Sequence, residues 1–372
     1  MALAFFDKNI VGTANAFTAG FGNSGAGAAY FLMPSIYNSL VSQGLTPHVA
    51  WRVTFVVPGI VIVSVALCLL FLCQDTPVGE WSRHFQITQD NFSTQDVQVT
   101  VVETPKAGVL DKPTSTDSPV SPLDIVEKKR FGATGERKLS AYADREAQMA
   151  EQQIVDTARG EIVVGPTPKE VVKVMFAPQT LVTAFCYFNS FGAELAIGSI
   201  LGTYYEKNFK SLGQTTSGQW AAMFGLLNAA YRPLGGICSD LLYKQFGNVW
   251  VKKVWIHTLG IVSGVCLVVI GVLDPHDQST MFGLMAAMAF FLEAGNGANF
   301  SLVPHVSPHA NGVVSGMTGA TGNFGGIIYA IVFRYNKTDY AKSFWIIGAI
   351  TIFLNVALSW IRPVARKQIG GR

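Results

Sequence analysis

The chain has 372 residues, 49% hydrophobic and 14% charged, with a formal net charge of +3. Its charges are unevenly spread, because residues 74 to 173 hold 12 Lys/Arg and 16 Asp/Glu whereas the other 272 residues hold 15 and 8. So few charges exclude a large water-facing surface for the apolar part, and no nucleic-acid partner is expected.

A helix that crosses about 30 Å of hydrocarbon needs about 20 mostly apolar residues. Eight stretches qualify, at 11–32, 53–73, 175–201, 219–242, 254–273, 281–302, 312–333 and 344–361. The first follows Asp7 and Lys8, contains Asn15 and Asn23, and lacks the short apolar core and cleavage site of a signal peptide. It reads as a true span in a lipid bilayer. Within it, Gly20 to Gly27 spell GFGNSGAG. That run lacks the terminal Lys-Ser/Thr pair of a phosphate loop, and small residues at helical spacing let membrane helices approach closely. Asn23, a carboxamide inside a span, needs hydrogen-bond partners.

After the second stretch comes the polar segment 74–173. Pro113, Pro119 and Pro122 stand among Ser, Thr and Asp, and a Lys/Glu/Arg/Gln-rich stretch follows from Glu127 to Arg159. The segment has too little apolar surface to offset the entropy of ordering, so a mostly disordered cytoplasmic loop is expected. Ser118 and Ser121 precede prolines and Ser140 follows Arg137 and Lys138. Kinases are therefore candidate partners, beside the plainer reading of a solvated linker.

The third stretch carries Tyr187 and Phe191, four residues apart and so on one helix face, together with Glu194. The fourth carries Arg232, followed at once by Pro233. An arginine at the centre of a spanning helix costs about 2.5 to 3.5 kcal/mol on insertion scales, so something must compensate it. Either Glu194 or Glu293 of the sixth stretch pairs with it, or it lines a water-filled cavity and binds an anion. A planar, permanently charged guanidinium suits nitrate or a carboxylate far better than a sugar. Pro233 is expected to kink or break the helix there and free backbone groups to line that cavity. Tyr187 and Phe191 also have a plain reading, as ordinary aromatic packing.

Gly236 to Gly247 spell GICSDLLYKQFG, in which Asp240 is placed to cap or brace helix ends. Basic residues favour the cytoplasmic side in short connections. Lys244, Lys252 and Lys253 between the fourth and fifth stretches, and Arg362, Arg366, Lys367 and Arg372 in the tail, contrast with the acidic Asp274 to Asp277 connection. The carboxyl terminus and the 74–173 loop are thus expected inside, leaving Lys207, Lys210, Arg334, Lys337 and Lys342 outside as exceptions. His305 and His309 have the spacing of helical metal ligands, but Pro304 and Pro308 are expected to interrupt the helix, so a cytoplasmic turn is favoured and no metal or cofactor is implied. Asn336, Lys337 and Thr338 form a glycosylation sequon close to the membrane on an outer loop. The five cysteines, scattered through apolar segments without paired spacing, imply packing and no disulfide framework. No nucleophile-and-base constellation stands out, so an enzyme is not expected.

At an offset of 300 residues the chain aligns with itself: Gly12, Thr18, Gly22, Asn23 and Gly25 meet Gly312, Thr318, Gly322, Asn323 and Gly325. These lie in the first and seventh stretches, six apart. Parallel repeats of six spans are the architecture of the major facilitator superfamily. The expected fold is an all-α membrane protein of that kind, with about eight transmembrane helices equivalent to spans five to twelve of twelve. Residues 1–73 would close an amino-terminal helical half, 74–173 would link, and 174–372 would form the carboxyl-terminal six-helix half.

Two strings carry a closer resemblance. AGFGNSGAG at Ala19 to Gly27 and GNFGG at Gly322 to Gly326 resemble the two signature motifs of the nitrate/nitrite porter family. FLEAGNGANFSLVPHV and GATGNFGGIIYAIVF, within Phe291 to Phe333, look like its fungal branch. The resemblance implies a substrate held between arginines on spans two and eight, with an aromatic residue and an amide nearby. Arg232 then matches the span-eight arginine, while the span-two arginine has no counterpart in this sequence. Tyr187 and Phe191 match the span-seven contacts, and Asn23 and Asn323 match amides of the two signatures. Gly20, Gly22, Gly25, Gly322, Gly325 and Gly326 match signature glycines. Gly236 and Asp240 match the superfamily's motif between spans eight and nine, with Leu241 replacing the usual basic residue. What is implied is import of nitrate, and of nitrite, across the plasma membrane by alternating access, with protons as coupling ion and Glu194 or Glu293 as candidates to carry them. The rivals are a facilitator of another small organic anion, and a non-transporting nutrient sensor or inactive fragment.

Overall fold

The structure, a computed structural model, describes residues 10–73, 167–307, 310–337 and 339–364. Ser118, Ser121 and Ser140 of the central loop, Pro308 and His309, Thr338 of the sequon, and Arg366, Lys367 and Arg372 of the tail lie outside the described residues. Every regular element among the described residues is helical: α1 (Val11–Ser42), α2 (Pro47–Thr54), α3 (Val56–Leu72), α4 (Pro168–Met175), α5 (Pro178–Asn208), α6 (Gly213–Leu226), α7 (Asn228–Phe246), α8 (Val249–Leu273), α9 (Gln278–Val306), α10 (Asn311–Asn336) and α11 (Tyr340–Leu358).

The helix starts follow from local chemistry. Pro47, Pro168 and Pro178 begin α2, α4 and α5, where a missing N–H costs nothing. Asn248, Asp277 and Asp339 cap α8, α9 and α11 by accepting from the N–H groups of Trp250, Thr280 and Lys342 at 3.0, 2.8 and 2.9 Å. The carboxylate of Asp277, in the connection ahead of α9, is held below the usual carboxylate range by those Thr280 bonds. Gly247, at φ 61°, closes α7 in the left-handed region that glycine tolerates. The helix that precedes α5 already begins at Pro168, so the polar segment ends in a helical turn before residue 173.

Among the described residues, five segments are long and apolar enough to cross a membrane: 47–72, comprising α2 and α3, and helices α5, α8, α9 and α11. The other three expected stretches fold as α1, as α10 and as the pair α6–α7, which are diluted by Gly, Ser, Asn and Gln. α3 has no buried residue and exposes apolar side chains all round, Ile60, Leu70 and Phe71 among them, as suits hydrocarbon and not water.

Two expectations about proline are corrected. The fourth stretch breaks at Leu227, and Pro233 lies within a continuous α7. The carbonyl four residues before Pro233 is that of Ala229, inside α7, so the break at Leu227 lies six residues from the proline and apart from it. Pro304 likewise sits inside the last turn of α9, which runs on to Val306; His305 is therefore helical, packed against the Tyr243 ring at 5.1 Å. Lys252 and Lys253 are also not loop charges but buried residues near the start of α8.

At the level of Arg232, α7 and α9 meet backbone to backbone. A Cβ on Gly235 would run into the carbonyl of Ala294, and one on Gly297 into the carbonyl of Arg232. Small residues allow this approach, and it brings the polar groups of both helices into one place.

Candidate anion-binding site

Arg232 projects from α7 into the space between α5 and α9 and is 2% exposed. Its Nη2 donates to the hydroxyl of Tyr187 at 2.5 Å. The Tyr187 and Phe191 rings stack at 4.8 Å and 9°, and the guanidinium carbon lies 5.8 and 5.7 Å from their centroids. That distance is within cation–π range. A spacing of four along α5 puts both rings on one face. Gly322 of α10 leaves room for them, since a Cβ there would strike the Tyr187 ring.

Of the two carboxylates open as partners, Glu194 is the one the structure pairs with Arg232. Its Oε2 lies 3.8 Å from Nη1. That is an ion pair but longer than a hydrogen bond. The Nε and Nη1 atoms of Arg232 accordingly have no hydrogen-bond acceptor. Glu194 is instead held by carboxamides: Nδ2 of Asn228 and of Asn296 donate at 2.8 and 2.6 Å, and Nδ2 of Asn23 at 3.5 Å. Glu293, on α9, is 0% exposed and neither of its oxygens is hydrogen-bonded.

The arrangement thus gathers Arg232, the neighbours Tyr187 and Phe191, and Asn23 from three segments far apart in sequence. It leaves Asn323 apart: that carboxamide is on the exposed face of α10 and donates to its own helix at Gly319, 2.9 Å away. Among the signature glycines, Gly20 packs on the Asn228 carbonyl and Pro233, and Gly322, Gly325 and Gly326 pack on α5 at Tyr187, Phe188 and Leu195. Gly22 and Gly25 face open space. Gly236 packs on Ala16 and Gly12 of α1. Asp240 does not cap its own helix; it accepts from the Thr13 N–H at 2.7 Å and from Lys252 Nζ at 2.7 Å.

Asn228 and Asn296 are the site residues the sequence reading missed. The signal was available, since carboxamides within spanning helices must find partners, but their convergence on Glu194 depends on the α7–α9 crossing. Chemically, the site offers a buried guanidinium that is paired at 3.8 Å with Glu194, flanked by two aromatic rings, and has two nitrogens without a hydrogen-bond acceptor.

A family model described as Major Facilitator Superfamily matches residues 1–330. The chain is 43% identical over 317 residues to elsinochrome transporter 1 of Elsinoe fawcettii, covering 85% of this chain and 61% of the relative. It is 28% identical over 373 residues to high-affinity nitrate transporter 2.3 of Oryza sativa subsp. japonica, covering 99% and 58%. Against the nitrate/nitrite transporter NrtP of Nostoc punctiforme it is 28% identical over 364 residues, covering 94% and 67%. The chain spans 53 to 61% of the length of the first three curated relatives it matches. With an all-helical bundle of membrane-crossing length, the chain belongs to the major facilitator superfamily of multi-pass membrane transporters.

Proposed function

We propose that the protein imports nitrate, and nitrite with it, across the plasma membrane by alternating access with proton symport, the central loop and carboxyl terminus being cytoplasmic. The observation that carries this reading is the guanidinium of Arg232, buried between Tyr187 and Phe191 with two nitrogens lacking an acceptor. Similarity to transporters named for nitrate supports it. Moving a negative charge inward against an interior-negative potential costs about 2.3 kcal/mol per 100 mV, so accumulation requires a co-moving cation, and a proton is the simplest. Arg232, Tyr187, Phe191 and Asn23 form the proposed site, with Asn323 outside it.

The test is Arg232→Lys in a nitrate-uptake and binding assay. Lysine keeps the charge but loses the planar set of donors, and a charge-assisted hydrogen bond contributes about 1.5 to 3 kcal/mol, so affinity should fall by roughly ten- to a hundredfold. Unaltered affinity would remove Arg232 from the site.

A second reading is favoured by one observation, the 43% identity to a transporter named for elsinochrome. Competition of labelled nitrate uptake by unlabelled nitrite, small carboxylates and elsinochrome separates the two. Nitrite alone competing supports the proposal, whereas elsinochrome uptake without nitrate uptake supports the rival.

A further inference from the structure

We propose that Glu194 is the resident counter-anion of Arg232 and the proton-carrying group of the site: an incoming oxyanion takes its place beside the guanidinium while one proton joins the carboxylate. The inference rests on the anion-site reading and adds its coupling chemistry. Two features of the geometry carry it.

The first is the loose ion pair. At 3.8 Å, Glu194 neutralises Arg232 without occupying its N–H donors, two of whose nitrogens remain unbonded. The guanidinium is compensated yet still able to receive an anion. The second is the amide cage. Asn228 and Asn296 point Nδ2 at the carboxylate, while the Oδ1 atom of each is buried and has no partner. A carboxamide is a donor at one end and an acceptor at the other. Half a turn about its last bond replaces N–H with oxygen, so the cage that donates to a carboxylate can accept from a carboxylic acid. Both protonation states of Glu194 are thereby satisfied without backbone movement.

Charge counting then fixes the stoichiometry. The empty site holds one guanidinium cation and one carboxylate, and is neutral. A monovalent oxyanion adds a second negative charge to a dry site, where an uncompensated ion costs several kcal/mol. One proton from the aqueous side, forming one O–H bond at a Glu194 carboxyl oxygen, restores neutrality; on the far side that bond breaks and anion and proton leave together. The groups facing Glu194 are Arg232 and Asn228 from α7, Glu293 and Asn296 from α9, Asn23 from α1, and Tyr187 from its own helix. Glu293 shares the field of Glu194 and Arg232 but has no donor to hold an ionised form. The other helices packed on α5 direct their polar groups elsewhere: Tyr329 of α10 to Asn189, His257 of α8 and Asn355 of α11 to Cys186, and Trp220 of α6 to Tyr205.

The experiment adds nitrate to the purified full chain in weakly buffered detergent solution, counts protons with a pH indicator dye, and measures nitrate affinity across pH. The expected result is one proton taken up per nitrate bound, with affinity weakening about tenfold per pH unit as pH rises over the range in which the empty site is ionised. Glu194→Gln, a permanent neutral stand-in, should bind nitrate with an affinity independent of pH and take up no proton. In proteoliposomes it should exchange nitrate but not accumulate it under a pH gradient. Nitrate binding by the wild-type chain without proton uptake overturns the inference alone, as does proton uptake that survives Glu194→Gln. Should that variant fail to fold, the wild-type proton count decides. A wild-type chain that binds no nitrate at any pH overturns the anion-site reading itself.

Discussion

Asp240 accepts from the backbone N–H of Thr13 at 2.7 Å, from the Thr13 hydroxyl at 2.9 Å and from Lys252 Nζ at 2.7 Å. Lys252 also donates to the Ser301 carbonyl at 3.2 Å and lies 4.9 Å over the Tyr243 ring, and it is 0% exposed. Four helices, α1, α7, α8 and α9, are therefore tied through two buried charges. Removing one partner of a buried pair leaves the other uncompensated, at a cost of about 3 to 5 kcal/mol. Lys252→Met should lower the thermal unfolding midpoint in detergent strongly, and Asp240→Asn in the same chain should restore much of the loss, because a neutral amide needs no countercharge. Additive losses in the double variant would show that the two residues do not act as a pair. Its neighbour Lys253 is used differently: its ammonium donates to the carbonyls of Leu358, Ser359 and Ile361, compensating the open carboxyl end of α11.

At the scale of the helices, the two copies of the glycine motif do different work. Gly322, Gly325 and Gly326 seat α10 on α5, whereas Gly22 and Gly25 of α1 meet no atom within 4 Å. Gly22→Ala should raise the unfolding midpoint slightly, since alanine is favoured over glycine in a helix interior by about 1 kcal/mol. Gly235→Ala should lower it despite the same gain, because its Cβ collides with the Ala294 backbone and overpacking costs about 1 to 3 kcal/mol. Equal midpoints would contradict the close α7–α9 contact. This difference also shows what the sequence discloses. Helical periodicity is a local property, so the spacing of Tyr187 and Phe191 put them on one helix face, whereas their place beside Arg232 came only from the family resemblance. Five segments among the described residues are long and apolar enough to cross a membrane. The break at Leu227 was not legible, as it lies six residues from Pro233, the residue the sequence offered as the breaker. Nor was the divergence of Asn23 from Asn323, which a 300-residue repeat makes look equivalent. Which face of a helix is covered depends on its neighbours: α1 turns Asn23 toward Glu194, while the packing of α10 on α5 turns Asn323 outward. Asn228 and Asn296 escaped notice for the same reason.

For the molecule as a whole, contacts sort the helix ends into two groups. Thr13, Asp240 and Lys252 join the amino end of α1, the carboxyl end of α7 and the amino end of α8, and Lys253 adds the carboxyl end of α11. Asn38 and Thr215, bonded at 2.6 Å, join the carboxyl part of α1 to the start of α6 at the opposite end. A 47–72 segment that crosses the membrane once from that opposite end would bring Cys73 out on the side of Asp240 and Arg362. Charge alone argues weakly for which side this is, since Lys207, Lys210, Arg334, Lys337 and Lys342 cluster at the other end. Thiol labelling decides it. Cys68 and Cys73 are exposed, Cys186 is buried, and Cys238 and Cys266 lie partly covered within α7 and α8. A maleimide reacts with the thiolate and needs water, so Cys68, on an α3 face bathed in lipid, should stay silent while Cys73 at the helix end reacts. An impermeant maleimide should label inside-out vesicles and spare right-side-out ones, and Cys73→Ser should abolish the signal. Labelling from the external face would put the central loop and the Asp240–Lys252 pair outside. The positive-inside assignment would then be reversed, and with it the direction in which the proposed site would carry its anion.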